Sequence, residues 1–521
     1  MKKMAALLLA LAMLAGFAGG CAPAAPAATS TPAGEPAQSG APQAQAPAEG
    51  KPAKDSVTMV LFSDITTLDP HDSTVLLNEV VRMNIYETLL EYYDGTLTPL
   101  LCESYDVSTD GLTYTFHMRK GVKFQNGEEM KASDVVFSLL RAKEAPSFAS
   151  ATASIDTVTA QDDYTAVVKL KEPDAPFLVC VGTKIAIMNE KATKEAGDDI
   201  KSKPIGTGPY KLTKWDSGQQ VLLERFDDYH GGPTPIKNAI FTIIGDNSSA
   251  QMALETGEID LTYNVPSIAV KELEKNPDIK VERIRTLGSG YVVYNTEKAP
   301  FNDRNFRIAL NYAIDKQKVI DIALDGNAEI STGLWNKDTI GYSGNVVTYS
   351  YDVNKAKEAI AQSSYKGETL TFKVRDEQYK KIALLIQEDL SAIGVNIEVE
   401  MVENNTWIDD MKKGNYDMSY IIMTLDPDAA KWANAFHSRS IDVLNFSRFS
   451  NPEVDQLFDE GSKLMDIKQR IACYDRILQI IKDEGVVVPV YYRVMTPAYN
   501  SSLHVSRFFP IGYAAVKDMS W

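Results

Sequence analysis

Two strand–helix–strand units follow one another between residues 369 and 423, and they constrain the fold more than any other feature of the sequence. Residues 369–374 alternate like a strand, residues 376–393 carry apolar side chains on one helical face, and residues 395–402 are strand-like again. Residues 406–413 are predicted to form a second helix and residues 416–423 a third strand. Because consecutive units of this kind need right-handed crossovers between parallel strands, the sequence predicts a mixed α/β protein.

Length, charge and cysteine usage narrow the class of protein. The 521 residues exceed the roughly 250–300 at which single cores stop growing, so several domains are expected. A formal net charge of −17 argues against nucleic acid as a partner and against broad adsorption on anionic lipid. The five histidines are scattered, which predicts neither a zinc-hydrolase helix nor a metal site. Cys102, Cys180 and Cys473 lie in apolar surroundings and are expected to be buried free thiols.

The first 54 residues predict an export signal and a tether. Residues 1–20 combine two lysines with an apolar run, as in a signal peptide. Small residues precede Cys21 as in a bacterial lipobox, although Ala18 stands where leucine is usual, so Cys21 is predicted to carry lipid. The alternative is an ordinary secretory signal cleaved near residues 22–25. Residues 21–54 are rich in Ala and Pro and predict a semi-rigid tether. No later run of 18 apolar residues occurs, so the protein is expected to reach the membrane through the lipid anchor only.

Local signals predict further elements outside the paired units. Residues 112–118 alternate like a strand, and residues 122–124 are expected to return beside it after a turn at residues 120–121. Ser133 is the predicted N-cap of a helix over residues 134–143. Residues 209–214 and 219–225 predict a hairpin, and Asn247 or Ser248 is expected to cap the next helix. Asn451 followed by Pro452 predicts another helix start.

A set of ordered motifs resembles the peptide/nickel family of solute-binding proteins for ABC importers. The motifs are Thr-Leu-Asp-Pro-His at 67–71, Tyr-Glu-Thr-Leu-Leu at 86–90, Asp-Gly-Leu-Thr-Tyr-Thr-Phe at 110–116 and Gly-Thr-Gly-Pro-Tyr at 206–210. Further matches lie at 119–124, 132–136, 305–315 and 352–360, in the order of the family, and the likeness spans about residues 58–493. Each motif is weakly specific alone, but the ordered set is highly specific.

The resemblance implies an α/β fold of the two-lobed periplasmic-binding-protein clamp type (class II, cluster C) with an extra inserted α/β domain. The first lobe would comprise residues 55–86, 204–292 and 489–521. The inserted domain would cover residues 87–203, and the second lobe residues 293–488. Crossing segments at 291–295 and 486–489 would form the hinge on which the lobes close around a ligand.

The implied function is that of an extracytoplasmic lipoprotein which captures a peptide-like ligand and delivers it to the permease and ATPase of an ABC importer. It would act as a monomer, without a cofactor and without catalysis. An enzyme is also disfavoured by the residues, because 206–208 lacks the third glycine of a dinucleotide site and 288–290 lacks the nucleophile-elbow pattern. Two alternatives stay open: a non-peptide solute such as a nickel chelate, an oligosaccharide or another carboxylate, or a role as a peptide-sensing receptor.

The resemblance also implies ligand-binding residues in the second lobe. Arg375 matches an arginine that pairs with the ligand carboxylate, Trp407 matches a pocket tryptophan, and Tyr420 stands where an aromatic residue is usual. The alternatives are a surface arginine paired with its acidic neighbours 376 and 377, and a tryptophan that only packs its helix on the sheet. Of Tyr491 and Tyr492, at most one should reach the cleft, since neighbours in a strand point to opposite faces.

The loop after the third strand departs from the family pattern. Peptide-binding relatives carry an acid three positions before an acid–Pro pair, where it holds the ligand ammonium, and here that position is Met423. Thr424, the next residue, is also expected to contact the ligand. Asp426 is expected either to replace the lost charge or, more simply, to cap the turn before Pro427, and an alignment slip would give the role to Asp426 or Asp428.

Three residues of the first lobe complete the predicted site. Ser63, Asp64 and Thr66 precede the first family motif and are expected to border the cleft, the alternative being an ordinary solvated loop.

Overall fold

The computed structural model describes residues 54–521. The predicted signal peptide, the lipidated Cys21 and the tether up to residue 53 lie outside the described residues. Within this range the chain is a mixed α/β protein, as predicted. No helix of the described part is both long enough and apolar enough to cross a bilayer.

Strands and helices are interspersed along the whole described range. The strands are β1 Ser56–Leu61, β2 Leu90–Tyr93, β3 Thr96–Pro99, β4 Cys102–Val107, β5 Thr113–Met118, β6 Ile155–Asp162, β7 Thr165–Leu170, β8 Tyr210–Asp216, β9 Gln220–Arg225, β10 Asn238–Ile243, β11 Leu261–Thr262, β12 Ile279–Val281, β13 Ile284–Tyr294, β14 Ala328–Ile330, β15 Thr369–Val374, β16 Asn396–Met401, β17 Met418–Met423, β18 Val487–Met495, β19 Ala498–Asn500, β20 His504–Val505 and β21 Met519–Ser520. The helices are α1 Leu76–Arg82, α2 Ala132–Glu144, α3 Phe177–Lys184, α4 Glu190–Ala196, α5 Asn247–Glu255, α6 Ser267–Leu273, α7 Arg304–Ala313, α8 Lys316–Ala323, α9 Val353–Ala361, α10 Glu377–Ser391, α11 Asn404–Lys413, α12 Ala433–Phe436, α13 Pro452–Lys463 and α14 Ile467–Asp483.

Three sheets organise the chain. A seven-stranded sheet has the order β12-β19-β11-β1-β10-β9-β8, and a six-stranded sheet has the order β14-β18-β13-β17-β15-β16. A four-stranded antiparallel sheet, β4-β5-β7-β6, comes from the segment between β1 and β8. The six-stranded and four-stranded sheets each contribute to one hydrophobic core, and the seven-stranded sheet contributes to two. We call the part around the seven-stranded sheet the first lobe and the part around the six-stranded sheet the second lobe. The part around the four-stranded sheet is the inserted domain. The residue bounds that the sequence suggests for these three parts stay a prediction.

The strands β13 and β18 pass from one lobe to the other. Tyr291 and Tyr491 lie in the core of the second lobe. Ile284 pairs with Met495, and both pack in the core of the first lobe. The change of core therefore falls between these positions, where bulges interrupt the pairing of the strands. The predicted crossing segments 291–295 and 486–489 pack mainly in the second core, and neither strand carries a sequence motif that marks the crossing.

The two strand–helix–strand units form as predicted. The strand β15 is parallel to both β16 and β17 and lies between them, so α10 and α11 are crossover helices. Asp376 caps α10 by accepting the backbone N–H of Tyr379 at 2.8 Å. Gly414 ends α11 with a backbone angle φ of 72°, a left-handed conformation that glycine adopts without strain. The carboxyl ends of β15 and β17 consequently meet at one edge of the sheet.

Several local predictions need correction. Residues 122–124 form no return strand beside β5, whose partners are β4 and β7, and they make only an isolated bridge between Lys123 and Glu129. Helix α2 begins before Ser133, because the Asp134 carboxylate accepts the backbone N–H of Lys131 at 2.8 Å and so caps an earlier turn. Helix α5 is capped by Asp246 rather than by residue 247 or 248.

Other local predictions are confirmed. The hairpin of β8 and β9 is present, and Asn451 caps α13. The three cysteines of the described range are free, and Cys102 and Cys180 are buried. Cys473 is half-buried, so its predicted full burial was wrong.

The inserted domain touches the second lobe at several points. The Ala175 backbone N–H donates to the Ser462 carbonyl at 2.8 Å. The Tyr92 hydroxyl donates to the carbonyl of Asp338 at 2.5 Å. Lys184 at the end of α3 forms an ion pair with Asp426. The inserted domain thus packs against the loop that follows β17.

Candidate functional site

Arg375 lies at the sheet edge where β15 turns into α10. Its guanidinium carbon is 4.5 Å from the ring centre of Tyr379 and 5.0 Å from that of Trp407. One guanidinium nitrogen donates to the Tyr379 hydroxyl at 2.8 Å. The predicted ion pair with Asp376 exists but is long, at 3.6 Å. Since arginine carries five N–H donors, most of the donors of Arg375 are left for another partner, and its side chain is 32 % exposed.

Trp407 also contacts this arginine. Its indole is only 4 % exposed and its Nε1 donates to the Ser419 hydroxyl at 3.0 Å. The ring therefore packs α11 on the sheet, as the alternative interpretation predicted, and also presents a face to the Arg375 guanidinium. The contacts of Trp407 are therefore compatible with both interpretations, a pocket tryptophan and a tryptophan that packs its helix on the sheet.

A row of three tyrosines continues from Arg375 across the sheet, and we call Tyr379, Tyr420 and Tyr491 the tyrosine row. The ring centres of Tyr379 and Tyr420 are 5.0 Å apart, and those of Tyr420 and Tyr491 are 6.0 Å apart. Burial raises the pKa of Tyr491 to about 12 and that of Tyr420 well above its usual range. The row is therefore uncharged at neutral pH, and its three rings are buried in the core of the second lobe.

Tyr491 and Tyr492 have separate neighbours, as strand alternation predicts. Tyr491 stacks on Tyr420, whereas the Tyr492 hydroxyl donates to the carbonyl of Trp335 at 3.1 Å. On the side of Tyr492, the Ser289 hydroxyl and the Trp335 indole nitrogen are buried without a hydrogen-bond partner among residues 54–521. Sequence reasoning missed these two groups, which no motif marks.

Glycines of β13 make room for the tyrosine row. A Cβ atom on Gly290 would overlap the Tyr420 hydroxyl and lie 3.1 Å from Cζ of Tyr491. A Cβ atom on Gly288 would lie 3.1 Å from Cβ of Arg493 and 3.1 Å from Oγ1 of Thr424. The Gly-Ser-Gly segment, which is no nucleophile elbow, thus lets tyrosines and Arg493 approach the backbone.

Neither candidate acid near β17 is free. Asp426 is paired with Lys184 of the inserted domain. Asp428 is fully buried, and one of its oxygens accepts a hydrogen bond from Arg470 at 2.5 Å and from the backbone N–H of Ala430 at 2.9 Å. Met423 is buried at the end of β17, opposite Ser289 of β13. Thr424, which follows, is exposed.

The candidates of the first lobe are placed apart from this group. Asp64 accepts hydrogen bonds from the Ser217 hydroxyl and the Gly218 backbone N–H, both at 2.7 Å, and from the Trp215 indole at 3.2 Å. Burial works to raise the pKa of Asp64, but these hydrogen bonds outweigh it and hold the pKa below its usual value. Its carboxylate is thus engaged in holding the β8–β9 hairpin.

Ser63 and Thr66 are exposed. The Thr66 hydroxyl accepts a hydrogen bond from the Asn78 side chain at 2.9 Å. Within the described range, no hydrogen bond or ring contact joins Ser63, Asp64 or Thr66 to Arg375 or the tyrosine row, so their place at the cleft remains a prediction. Residues 54–521 also hold no group of three or more His, Cys, Asp or Glu side chains arranged for a metal ion.

Arg493 is the residue that sequence reasoning did not single out. It lies on β18 two residues after Tyr491 and therefore on the same face of the strand. No carboxylate oxygen lies within 4.0 Å of its guanidinium nitrogens among residues 54–521, and these nitrogens donate no hydrogen bond within that range. Counting in steps of two along β18 from Tyr491 would have found it.

Comparison with known proteins places the chain among solute-binding proteins. Residues 96–441 match the family model of bacterial extracellular solute-binding proteins, family 5. The glutathione-binding protein GsiB of Shigella boydii is 28 % identical over 469 residues, which cover 87 % of this chain and 91 % of that protein.

Solved structures share the fold. The ABC transporter substrate-binding protein CtaP from Listeria monocytogenes superposes with a TM-score of 0.84 at 24 % identity, over 90 % of this chain and 99 % of that one. The periplasmic binding protein DppA from Helicobacter pylori, in complex with the peptide STSA, has a TM-score of 0.74 at 26 % identity, over 90 % and 98 % of the two chains.

Proposed function

The chain belongs to the bacterial extracellular solute-binding proteins of family 5, as its motifs predicted, and we propose that it captures a carboxylate-bearing, peptide-like solute between its two lobes. It has the two-lobed α/β fold of the periplasmic binding proteins of this family. It is an extracytoplasmic substrate-binding protein of the ABC-importer type. Its relatives are binding proteins rather than enzymes, and the proposal accordingly assigns it no catalytic step.

The observation that carries the proposal is the geometry of Arg375. The arginine packs against the rings of both Tyr379 and Trp407 and donates a hydrogen bond to the Tyr379 hydroxyl, so two aromatic contacts and one hydrogen bond orient it. Its nearest carboxylate is 3.6 Å away, which leaves a planar fork of N–H donors for a bidentate partner. A carboxylate at the end of a peptide-like solute fits that fork.

The environment of the opposite end of the solute differs from that in peptide-binding relatives. Met423 stands at the position of the ammonium-binding acid, and Asp426 and Asp428 are already paired with Lys184 and Arg470. A buried ammonium without a counter-charge costs several kcal/mol. The protein should therefore bind free-amino dipeptides poorly and prefer N-blocked peptides, longer peptides, or other carboxylate-bearing solutes. Glutathione, the ligand in the name of the Shigella relative, carries a free amino group and should by the same reasoning bind more weakly than its N-acetyl form.

Calorimetry on the full chain tests this assignment with N-acetyl-Ala-Ala and its C-terminal amide. The wild type should bind the acid at least about tenfold more tightly than the amide, a difference of about 1.4 kcal/mol. Arg375→Gln should abolish that difference, whereas Arg476→Gln, which removes an exposed arginine elsewhere, should retain it. An undiminished preference for the acid in Arg375→Gln would overturn the role of Arg375.

We further propose that the protein acts as a lipid-anchored monomer that hands its solute to the permease of an importer. The support for the anchor is the sequence around Cys21 and the Ala/Pro-rich tether behind it. Cys21→Ser should move the protein from the membrane fraction to the soluble extracytoplasmic fraction. A Cys21→Ser protein that is processed normally and remains with the membrane would contradict the lipid anchor.

A further inference from the structure

Arg493 sits at the point where the chain crosses between the lobes. Tyr491, two residues before it, packs in the core of the second lobe, and Met495, two residues after it, packs in the core of the first. Its Cβ atom flanks Gly288 on β13, beside Oγ1 of Thr424 at the end of β17. Arg493 therefore lies on the same side of the sheet as the tyrosine row, at the base of the space between the lobes.

The charge of Arg493 acts on tyrosines of both lobes. Burial raises the pKa of Tyr420 and Tyr491 in the second lobe and of Tyr513 in the first, and the positive charge of Arg493 opposes the rise in all three. Tyr513 belongs to the core of the first lobe. The guanidinium is thus within electrostatic range of both cores, but the groups around it are neutral phenols rather than carboxylates.

Arg493 is half-buried and unpaired among residues 54–521. Burial without a partner destabilises the folded protein, so a purely structural role does not explain this residue. Burying a charge is unfavourable unless the charge is paired or hydrogen-bonded. The buried arginines Arg82, Arg307 and Arg470 follow that rule, because each has a carboxylate partner within 3.1 Å. Arg493 has none within the described range, although the protein carries a formal net charge of −17 and acids are abundant.

Arg375 and Arg493 act on the same tyrosine. Arg375 contacts Tyr379, and the positive charges of both arginines oppose the rise that burial causes in the pKa of this tyrosine. Arg375 follows β15, and Arg493 lies near Thr424, which follows β17. Because β15 and β17 are parallel, both arginines lie toward the same edge of the sheet. A solute with two carboxylates can therefore meet both guanidinium groups there.

From this arrangement we infer that the solute carries two carboxylates, one bound by Arg375 and the second by Arg493. The inference rests on the proposed function and adds the chemical class of the solute: a short, N-blocked or otherwise amino-poor dicarboxylate. The Thr424 hydroxyl lies beside Arg493 and supplies a neutral donor to the same carboxylate. Arg493 is in this scheme the residue that selects acidic over neutral solutes.

The test is a cycle of ligand and protein changes measured by calorimetry on the full chain. The probes are N-acetyl-Ala-Glu, which has two carboxylates, and N-acetyl-Ala-Gln, which has one and the same shape. Wild type should bind the dicarboxylate at least about tenfold more tightly. Arg493→Gln should remove this preference and change the affinity for N-acetyl-Ala-Gln less than about twofold, because that probe offers Arg493 no charge.

Controls separate a direct contact from a loss of fold or of overall charge. Arg493→Lys, which keeps the charge, should retain part of the preference, and Arg476→Gln, which removes a charge far from the site, should retain all of it. The midpoint of urea unfolding of the ligand-free Arg493→Gln protein should be no lower than that of wild type, since the substitution removes an unfavourable buried charge and Arg493 has no partner to lose among the described residues.

The outcomes distinguish this inference from the proposed function. Binding of both probes with equal affinity, or a preference that survives in Arg493→Gln, overturns the role of Arg493 and leaves carboxylate binding at Arg375 in place. A protein that binds neither of the two probes, nor glutathione, nor N-acetyl-Ala-Ala overturns the proposed function and the inference together.

Discussion

Gly290 on β13 lies where the rings of Tyr420 and Tyr491 come closest to the backbone, and replacing it with alanine tests that packing. The added Cβ atom would overlap the Tyr420 hydroxyl and approach Cζ of Tyr491 to 3.1 Å. The two tyrosines are 0 % and 3 % exposed, so neither ring has free space into which to move. Overpacking of a well-filled core costs about 1–3 kcal/mol.

Gly245 provides a matched control for this substitution. A Cβ atom there would meet only the carbonyl oxygen of Phe62, at 3.6 Å, which is an ordinary contact. Neither glycine has a positive φ angle, so alanine fits both backbones. Each substitution reduces the freedom of the unfolded chain and gains about 0.4–1 kcal/mol, which cancels in the comparison. Gly290→Ala should therefore be about 1–3 kcal/mol less stable than Gly245→Ala.

Urea unfolding followed by tryptophan fluorescence measures this difference. Trp335, Trp407 and Trp432 all lie in the core of the second lobe, so the signal reports mainly on the lobe that contains Gly290. The lobes need not unfold together, and the second-lobe transition is the one to compare. Equal midpoints for the two variants would refute the packing of the tyrosine row against β13.

Three further predictions concern buried charges and the loop after β17. Arg470→Met should lower the free energy of unfolding by about 3–5 kcal/mol, because it leaves the buried carboxylate of Asp428 without its arginine. The same change at the exposed Arg476 should cost less than about 0.5 kcal/mol, and equal urea midpoints for the two variants would contradict the prediction. Burial lowers the pKa of His71 to about 4. Between about pH 6.5 and 4 the imidazole takes up a proton only in the unfolded state, so the free energy of unfolding should fall as the pH falls through this range. A His71→Gln protein should show a smaller fall. Asp426→Asn should change the calorimetric affinity for N-acetyl-Ala-Ala less than about twofold, since Asp426 is already paired with a lysine, and a tenfold loss would assign it to the ligand.

The strand–helix–strand region could be predicted nearly to the residue because its local signals agree. Asp376 is a good cap, Gly414 adopts the left-handed conformation that ends a helix, and the apolar period changes cleanly between strand and helix. Ser133 was misleading because the helix already begins at Ala132, where the Asp134 carboxylate accepts the backbone N–H of Lys131. Short segments such as 122–124 have too few residues to show a period, and tertiary contacts decide their pairing.

The site could be predicted only in part from sequence. Arg375 and Trp407 came from the family resemblance, and the structure places them in contact, although their ligand role remains a prediction. The partner of Asp426 is a lysine in another domain, and no local pattern reports such a pair. Arg493 was missed because its distinguishing property is the absence of a partner, and only the folded arrangement of the described residues reveals that.

Closure of the two lobes on a bound solute is the most direct test of the central claim, and small-angle X-ray scattering measures it. N-acetyl-Ala-Glu at a concentration that saturates the site by calorimetry should reduce the radius of gyration, because β13 and β18 let the lobes approach each other around the solute. The same addition should give a smaller reduction for Arg375→Gln, whose affinity for the solute is lower. Calorimetric saturation of the wild type with a scattering curve that superposes on that of the free protein would contradict capture between the lobes.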